Sequence, residues 1–493
     1  MSLMKKSLQR KNLNGLWMGL ASFALIVILL LPTPENLPEA GQRALAILAF
    51  AVILWVTEAV SYSVSAFMIV GLIAILLGLA PGTEDPSAPL GTKEALKLAL
   101  SGFSSPAVAL VAAALFLAAA MQVTHFHKRL ALLVLSKVGS KTNHIVIGAI
   151  LVSIMLAFFV PSATARAGAV VPILLGMVAA FGLSKESRLA ALLVITSVQA
   201  VSIWNVGIKT AAAQNMIALD FMDQAFGKNV SWGEWFLYAG PWAIIMSILL
   251  YFIMIRAIRP ETNEITGGHE LVEKQLRELG PLKAEEKRLI LISLALLFFW
   301  STEKVLHPFD NSTVTLVAVA LLLTPKIGVF NWKTAEKEIP WGTIIVFAVG
   351  ISLGSVLLKT EGATWLSDQV FGKLGLESMP LLSVIALLTL FNILIHLGFA
   401  SATSLASALI PIVIALVSTL NVPVNEPGFV LIQQFVISFG FLLPVSAPQN
   451  MLAYGTGAFS VKDFLKSGIP ITIAAFLLIM LFSMTYWKWI GLL

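Results

Sequence analysis

The chain has no cysteine in 493 residues, which excludes a disulfide framework, a thiolate metal site and a cysteine nucleophile. Charge is scarce as well: Asp, Glu, Lys and Arg together make up 12% of the residues, well below the ~25% of soluble domains. The six histidines are scattered, and there is no HExxH pattern, no paired intramembrane carboxylates and no GxxxxGK[ST] phosphate loop. No motif therefore points to catalysis or ATP-driven work, and the expectation is a protein that is not an enzyme, with no cofactor and no metal. No cleavable signal peptide is expected, because the basic start MSLMKKSLQRKN leads straight into an apolar run without a small-residue cleavage pattern. What the chain does have is apolar sequence: 58% hydrophobic residues and a mean hydropathy of +0.91. It is arranged in segments of the ~20 residues that cross a bilayer core. The net charge of +6 lies mainly in loops, where it reports orientation in the lipid bilayer and not a nucleic-acid partner.

Two stretches interrupt this apolar background and recur. SATARAGAVVPI, Ser162 to Ile173, returns as SATSLASALIPI, Ser401 to Ile412, with seven of twelve positions identical. Each is followed by a second shared block, AAAQNM (Ala211 to Met216) and SAPQNM (Ser446 to Met451). A third pair, WVTE (Trp55 to Glu58) and WSTE (Trp300 to Glu303), precedes them in the same order. Repeated polar interruptions inside apolar sequence read as two related halves, each lending a wall to one site.

In chain order, Lys5, Lys6, Arg10 and Lys11 hold the N-terminus in the cytoplasm by the positive-inside rule. Counting spans then puts Lys128, Arg129, Lys137 and Lys141 inside, and Glu84 and Asp85 outside. The reading is an all-α polytopic membrane protein with about eleven transmembrane helices and two re-entrant hairpins, an inverted-repeat transporter of the elevator type. Residues 1–42 form the cytoplasmic segment and first span, and 43–259 the first inverted repeat, with a hairpin at about 145–183. A charged cytoplasmic linker at 260–285 leads to the second inverted repeat, 286–493, with its hairpin at about 379–420. The alternative for each hairpin is two ordinary spans with a short outer loop. The expected location is the plasma or inner membrane, with the C-terminus outside.

Ser162, Thr164, Ser401 and Thr403 sit where a new helical arm starts after a tip, and the free N–H groups of such an arm favour an oxyanion. Two tips from two halves suit two carboxylates. Asn215 and Asn450 either donate to the substrate or brace a broken helix. Lys209 is an intramembrane cation, which costs at least ~2.5–3.5 kcal/mol and is normally paired or functional. Arg166 pairs with substrate or a carbonyl, or else snorkels; His396 is a satisfied core group or a site residue. Glu58 and Glu303 read as scaffold.

With those residues in view, the chain resembles the divalent anion/sodium symporter family along nearly its whole length. The family's Ser-Asn-Thr tip motif is matched in part at Ser162-Ala163-Thr164 and Ser401-Ala402-Thr403. Its S-x-x-F-x-x-P-V-[GSA]-x-x-x-N signature is matched by Ser438, Phe441, Pro444, Val445, Ser446 and Asn450. The resemblance implies eleven spans, a homodimer formed through a static scaffold, and an elevator movement carrying both hairpins. It also implies di- or tricarboxylate substrates and substrate contacts at both tips, Ala163 and Ala402 included. The chain departs where sodium-coupled members place the central Asn, since an alanine offers no amide oxygen. A fixed cation, Lys209 with help from His396 and Arg166, could stand in for sodium. The expected function is exchange of C4/C5 dicarboxylates (2-oxoglutarate, malate, succinate, fumarate) without sodium, and the alternative is a sodium- or proton-coupled di/tricarboxylate symporter. An ion channel or membrane enzyme is the reading from another class.

Overall fold

The computed structural model describes residues 2–82, 87–264 and 268–493, with side chains from Leu13 onward. Glu84 and Asp85, and the side chains of Lys5, Lys6, Arg10 and Lys11, lie outside the described residues. Among the described residues the secondary structure is helical, with isolated bridges and no strand. Nine helices among the described residues are long and apolar enough to cross a membrane, and four shorter apolar helices accompany them. The chain is a multi-pass membrane protein.

The first helix, α1 (Ser2–Leu30), packs on α2 (Glu39–Thr57), which stops at Glu58, a left-handed residue with φ 48°. Next come α3 (Tyr62–Leu72), extended by one π turn, and the short amphipathic α4 (Thr92–Leu100). Ser105 caps α5 (Pro106–Val123) by accepting from the Ala107 N–H, with Pro106 at the first helical position, where no donor is lost. After α6 (Phe126–Leu135) the chain makes its first hairpin, α7 (Thr142–Phe159) and α8 (Ala163–Ala180). The helix α9 (Arg188–Gly207) gives way to a 3₁₀ turn, Lys209–Ala211, before α10 (Ala213–Phe226), so the helical run breaks after Gly207. The long α11 (Trp232–Ala257) follows.

The charged segment after α11 is more than a linker. Its helix α12 (Gly268–Glu278) packs on α6 and α8, and the Glu261 carboxylate accepts from the Arg188 and Leu189 N–H groups at 2.6 and 3.0 Å, capping α9. Then come α13 (Ala284–Ser301), α14 (Asn311–Leu323), α15 (Trp332–Glu338), α16 (Trp341–Lys359) and α17 (Gly362–Val370). The second hairpin is α18 (Leu381–His396) and α19 (Ala402–Val417). A second broken pair, α20 (Glu426–Ile437) and α21 (Pro448–Tyr454), flanks the 3₁₀ turn Pro444–Ser446, and α22 (Val461–Met484) with the one-turn α23 (Tyr486–Trp489) closes the fold.

Two hydrophobic cores result. The smaller one joins α2, α3, α4 and α16, with Ala408 and Ala415 of α19 at its edge. The larger one holds both hairpins and both broken helices. Helix α16 lies between them and comes close enough to its neighbours to require glycine: a Cβ at Gly350 would stand 2.2 Å from Ser407 Oγ, and one at Gly354 2.1 Å from the Phe221 ring.

Candidate functional site

The two hairpin tips have the same local geometry. Ser162 (φ −143°, ψ 112°) and Ser401 (φ −135°, ψ 115°) are extended N-caps, and each hydroxyl accepts from the N–H three residues on, of Ala165 and Ser404, at 3.3 Å. The proline inside each following arm, Pro172 and Pro411, lies beyond the first turn, so the helix starts themselves remain regular.

The two breaks match in the same way. Ala212 (φ −148°, ψ 138°) and Ala447 (φ −155°, ψ 142°) are extended residues that restart the chain as helix. Asn215 Nδ2 donates to the Asn205 carbonyl at 2.8 Å, and Asn450 Nδ2 donates to the Gly440 carbonyl at 2.8 Å. Asn215 also reaches the Ile208 and Lys209 carbonyls at 3.3 and 3.2 Å. Both asparagines are buried and neither lines the tip cavity. Of the two roles expected for them, the structure favours bracing the breaks over substrate contact, because their donors are already engaged by carbonyls that the interrupted helix leaves free.

Glutamines cross between the halves. Gln214 Nε2 donates to Ser438 Oγ at 3.1 Å and Gln449 Nε2 to Ser202 Oγ at 3.0 Å. Gln199 Nε2 donates to the Phe441 carbonyl at 3.0 Å, and Gln434 Nε2 to Asn215 Oδ1 at 3.2 Å. These reciprocal bonds hold the two breaks against each other.

Tips and breaks enclose a cavity of about 150 Å³. Ser162, Ala163 and Thr164 line one side, Ser401, Ala402 and Thr403 the other, and His396 also faces it. Asn205, Thr210, Gln214, Ser438 and Gln449 complete its polar wall. None of these five is among the residues expected from the sequence to contact substrate. The QN pair repeated in both second blocks was the available signal for Gln214 and Gln449. The cavity continues past Ser162, Thr164, Ser401, Thr403 and Thr343 into a vestibule of about 760 Å³ bordered by Tyr62, His125, His127 and Glu338.

The charged candidates separate. Arg166 is 0% exposed, behind the first tip, and its Nη2 donates to Asn205 Oδ1 and to the Ala211 carbonyl, both on residues that line the cavity. Its Nε and Nη1 have no partner. His396 Nε2 faces the Ser446 carbonyl at 3.1 Å, which makes Nε2 the protonated nitrogen, and Nδ1 is unpartnered. Lys209 does not face this cavity, contrary to the expectation that it supplies the shared pocket's charge. It is 4% exposed, its Nζ donates to the Val230 carbonyl at 2.7 Å, and it borders a second cavity of about 440 Å³ with Glu303 and Asp310. The 3₁₀ turn explains the difference, since Thr210 and Ala211 on the same turn face the tips.

Chemically the site offers donor hydroxyls, amides, two helix N-termini and one fixed guanidinium close behind, with no carboxylate among the cavity's lining residues. Such a surface suits a small anion with separated negative groups. No group of three or more metal-ligating side chains occurs among the described residues.

Comparison with known proteins agrees with this class. The family profile described as the sodium:sulfate symporter transmembrane region matches residues 13–493. A Cupriavidus necator protein described only as a membrane protein is 52% identical over 477 residues, covering 97% of this chain and 93% of its own. The sodium-dependent dicarboxylate transporter SdcS of Staphylococcus saprophyticus is 28% identical over 501 residues, covering 97% and 91%. Among solved structures, the Alcanivorax borkumensis YdaH transporter aligns over 88% of this chain and 98% of its own, with a TM-score of 0.52 and 13% identity, a likeness of fold.

Proposed function

The chain belongs to the sodium:sulfate symporter family, and from that premise we propose that it exchanges one dicarboxylate for another across the plasma or inner membrane without sodium. The observation that carries this reading is Arg166. A buried guanidinium with two unpartnered donors and no acidic partner sits behind the first tip, where the motif offers Ala163 in place of an amide. His396 lines the cavity beside the second tip, where Ala402 replaces the amide.

An unpaired buried cation costs several kcal/mol to keep in a low-dielectric interior. A bound dianion offsets that cost, so a loaded transport domain crosses readily and an empty one does not. The consequence is obligatory exchange. Ser162, Thr164, Ser401 and Thr403 would hold the two carboxylates between the tips, with the two halves inverted, the hairpins moving as an elevator and the scaffold pairing two copies as a homodimer. Asn215 and Asn450 would keep the breaks rigid enough to present those groups. C4 and C5 dicarboxylates are the substrate class.

Counterflow in liposomes tests the reading. Labelled 2-oxoglutarate or malate should enter only vesicles preloaded with a dicarboxylate. Uptake into empty vesicles that rises with an inward sodium gradient would defeat it and favour a sodium-coupled symporter, in line with the Staphylococcus relative named a sodium-dependent dicarboxylate transporter.

A further inference from the structure

Arg166 holds the fixed charge behind the first tip, but it has no surface in the tip cavity. It is 0% exposed and does not line the cavity, and its Nε and Nη1 are sealed in without a partner. Its charge must reach an anion through the groups it bonds. Those are Asn205 Oδ1 and the Ala211 carbonyl, the latter at 3.0 Å, both bonded by Nη2 and both on residues that line the cavity. Of the two, only the amide has donors of its own to offer. A guanidinium donates and never accepts, so its bond fixes the oxygen as the corner of the Asn205 amide turned toward Arg166 and leaves Nδ2 as the other corner. Among the described residues nothing accepts from that Nδ2. The backbone at this point is held as well: the Asn205 carbonyl accepts from Asn215 Nδ2 at 2.8 Å, and Asn215 Oδ1 accepts from Gln434 Nε2 of the second half at 3.2 Å.

We propose that Asn205 contacts the substrate, its Nδ2 donating to a carboxylate bound at the first tip, and that Arg166 is a positioning residue acting through it. The guanidinium fixes which way the amide faces and polarises its N–H groups, as successive hydrogen bonds do in a low-dielectric interior. A direct arginine–carboxylate pair is bidentate and strong. An amide set between the two charges loosens that hold, which suits a carrier that must release its cargo on the far side. This rests on the transport reading above and names the residue through which its fixed charge meets the cargo.

The test reads binding and exchange separately on the full chain. Stabilisation of the protein in detergent against thermal unfolding, titrated with 2-oxoglutarate, gives Kd, and wild-type counterflow tests the transport reading by itself. Asn205→Ala should raise Kd about tenfold or more, the worth of a hydrogen bond strengthened by charge. In an Arg166→Leu background the same change should raise it only about two- to tenfold, the worth of a neutral one. No cost in that background would make Asn205 a mere support for Arg166, and an equal cost in both would cut Arg166 out of the relay; either result overturns the proposal. Asn205→Asp keeps an acceptor for the guanidinium, and so covers the case in which the alanine variant fails to fold. Its carboxylate should raise Kd further still, and an unchanged Kd overturns the contact. A wild type that binds 2-oxoglutarate without exchanging it defeats the transport reading alone, and one that none of succinate, malate and 2-oxoglutarate stabilises defeats both.

Discussion

At the scale of single residues, the decision lies between two buried cations. Lys209 stands out in the sequence because it interrupts an apolar run, but one turn of 3₁₀ backbone points it at Val230 and the second cavity. Arg166 is less conspicuous, yet its guanidinium bonds two residues that line the tip cavity. Its place in the second copy of the motif is taken by Leu405, so Arg166→Leu is the substitution the repeat itself offers. Removing an unpaired buried ion also removes its desolvation cost, and the loss should therefore appear in function. Counterflow by Arg166→Leu should fall at least about tenfold, the ~1.4 kcal/mol or more expected of an interaction with a charged group. Lys209→Met should stay within about twofold of wild type, because its ammonium has no contact with the tips. The reverse ranking in the same assay would return the fixed charge to Lys209.

At the scale of elements, hairpins and breaks were legible because each is a short polar or proline-bearing interruption in apolar sequence, written twice. The short helices α4, α6, α15 and α17 were not, being too short to register as spans and too amphipathic to register as core. The docking of residues 259–286 was not legible either, since balanced charge reads the same whether solvated or paired. Here Arg129 of α6 donates to Glu286 of α13 through Nε at 2.7 Å and Nη2 at 3.2 Å, and to the Gly280 and Leu279 carbonyls at 2.9 and 3.3 Å. This buried pair ties the connection between the halves to the base of the first hairpin. Removing one partner of such a pair costs about 3–5 kcal/mol. Burial alone would push Glu286 up, but the Arg129 guanidinium and the Lys283 N–H outweigh it and hold the carboxyl below its ordinary value. A depressed folded value means that the stabilisation is complete above the ordinary glutamate range, about 4.3, and lost as pH falls through the folded value. Thermal unfolding in detergent should place Glu286→Gln below wild type at pH 7, with the gap closing as pH drops under that range. A gap that stays constant down to pH 3 would remove the ion pair as its cause.

At the scale of the whole molecule, the tip cavity lies between two unlike chambers. Tyr62, His125 and Glu338 border the vestibule continuous with the tips, whereas Asp220, Asp223 and Asp310 border the acidic cavity beside Lys209. The two chambers share no lining residue, and the tip cavity shares lining residues with each. An acidic chamber repels a dianion, and a vestibule open to the tips admits one, so this arrangement reads as a carrier open on one face and closed on the other. The orientation expected from the basic residues would put the vestibule on the cytoplasmic side. Because the chain has no cysteine, single thiols report side without background. Asp223→Cys should react with a membrane-impermeant maleimide added to intact cells, and His125→Cys should react only after the membrane is opened. Reaction of both from outside would place the two chambers on one face and remove the basis for alternating access. With the sides established, an external dicarboxylate should speed the reaction of a vestibule thiol if loading frees the hairpins to move, and a rate unaffected by substrate would mark the two chambers as static features of the fold.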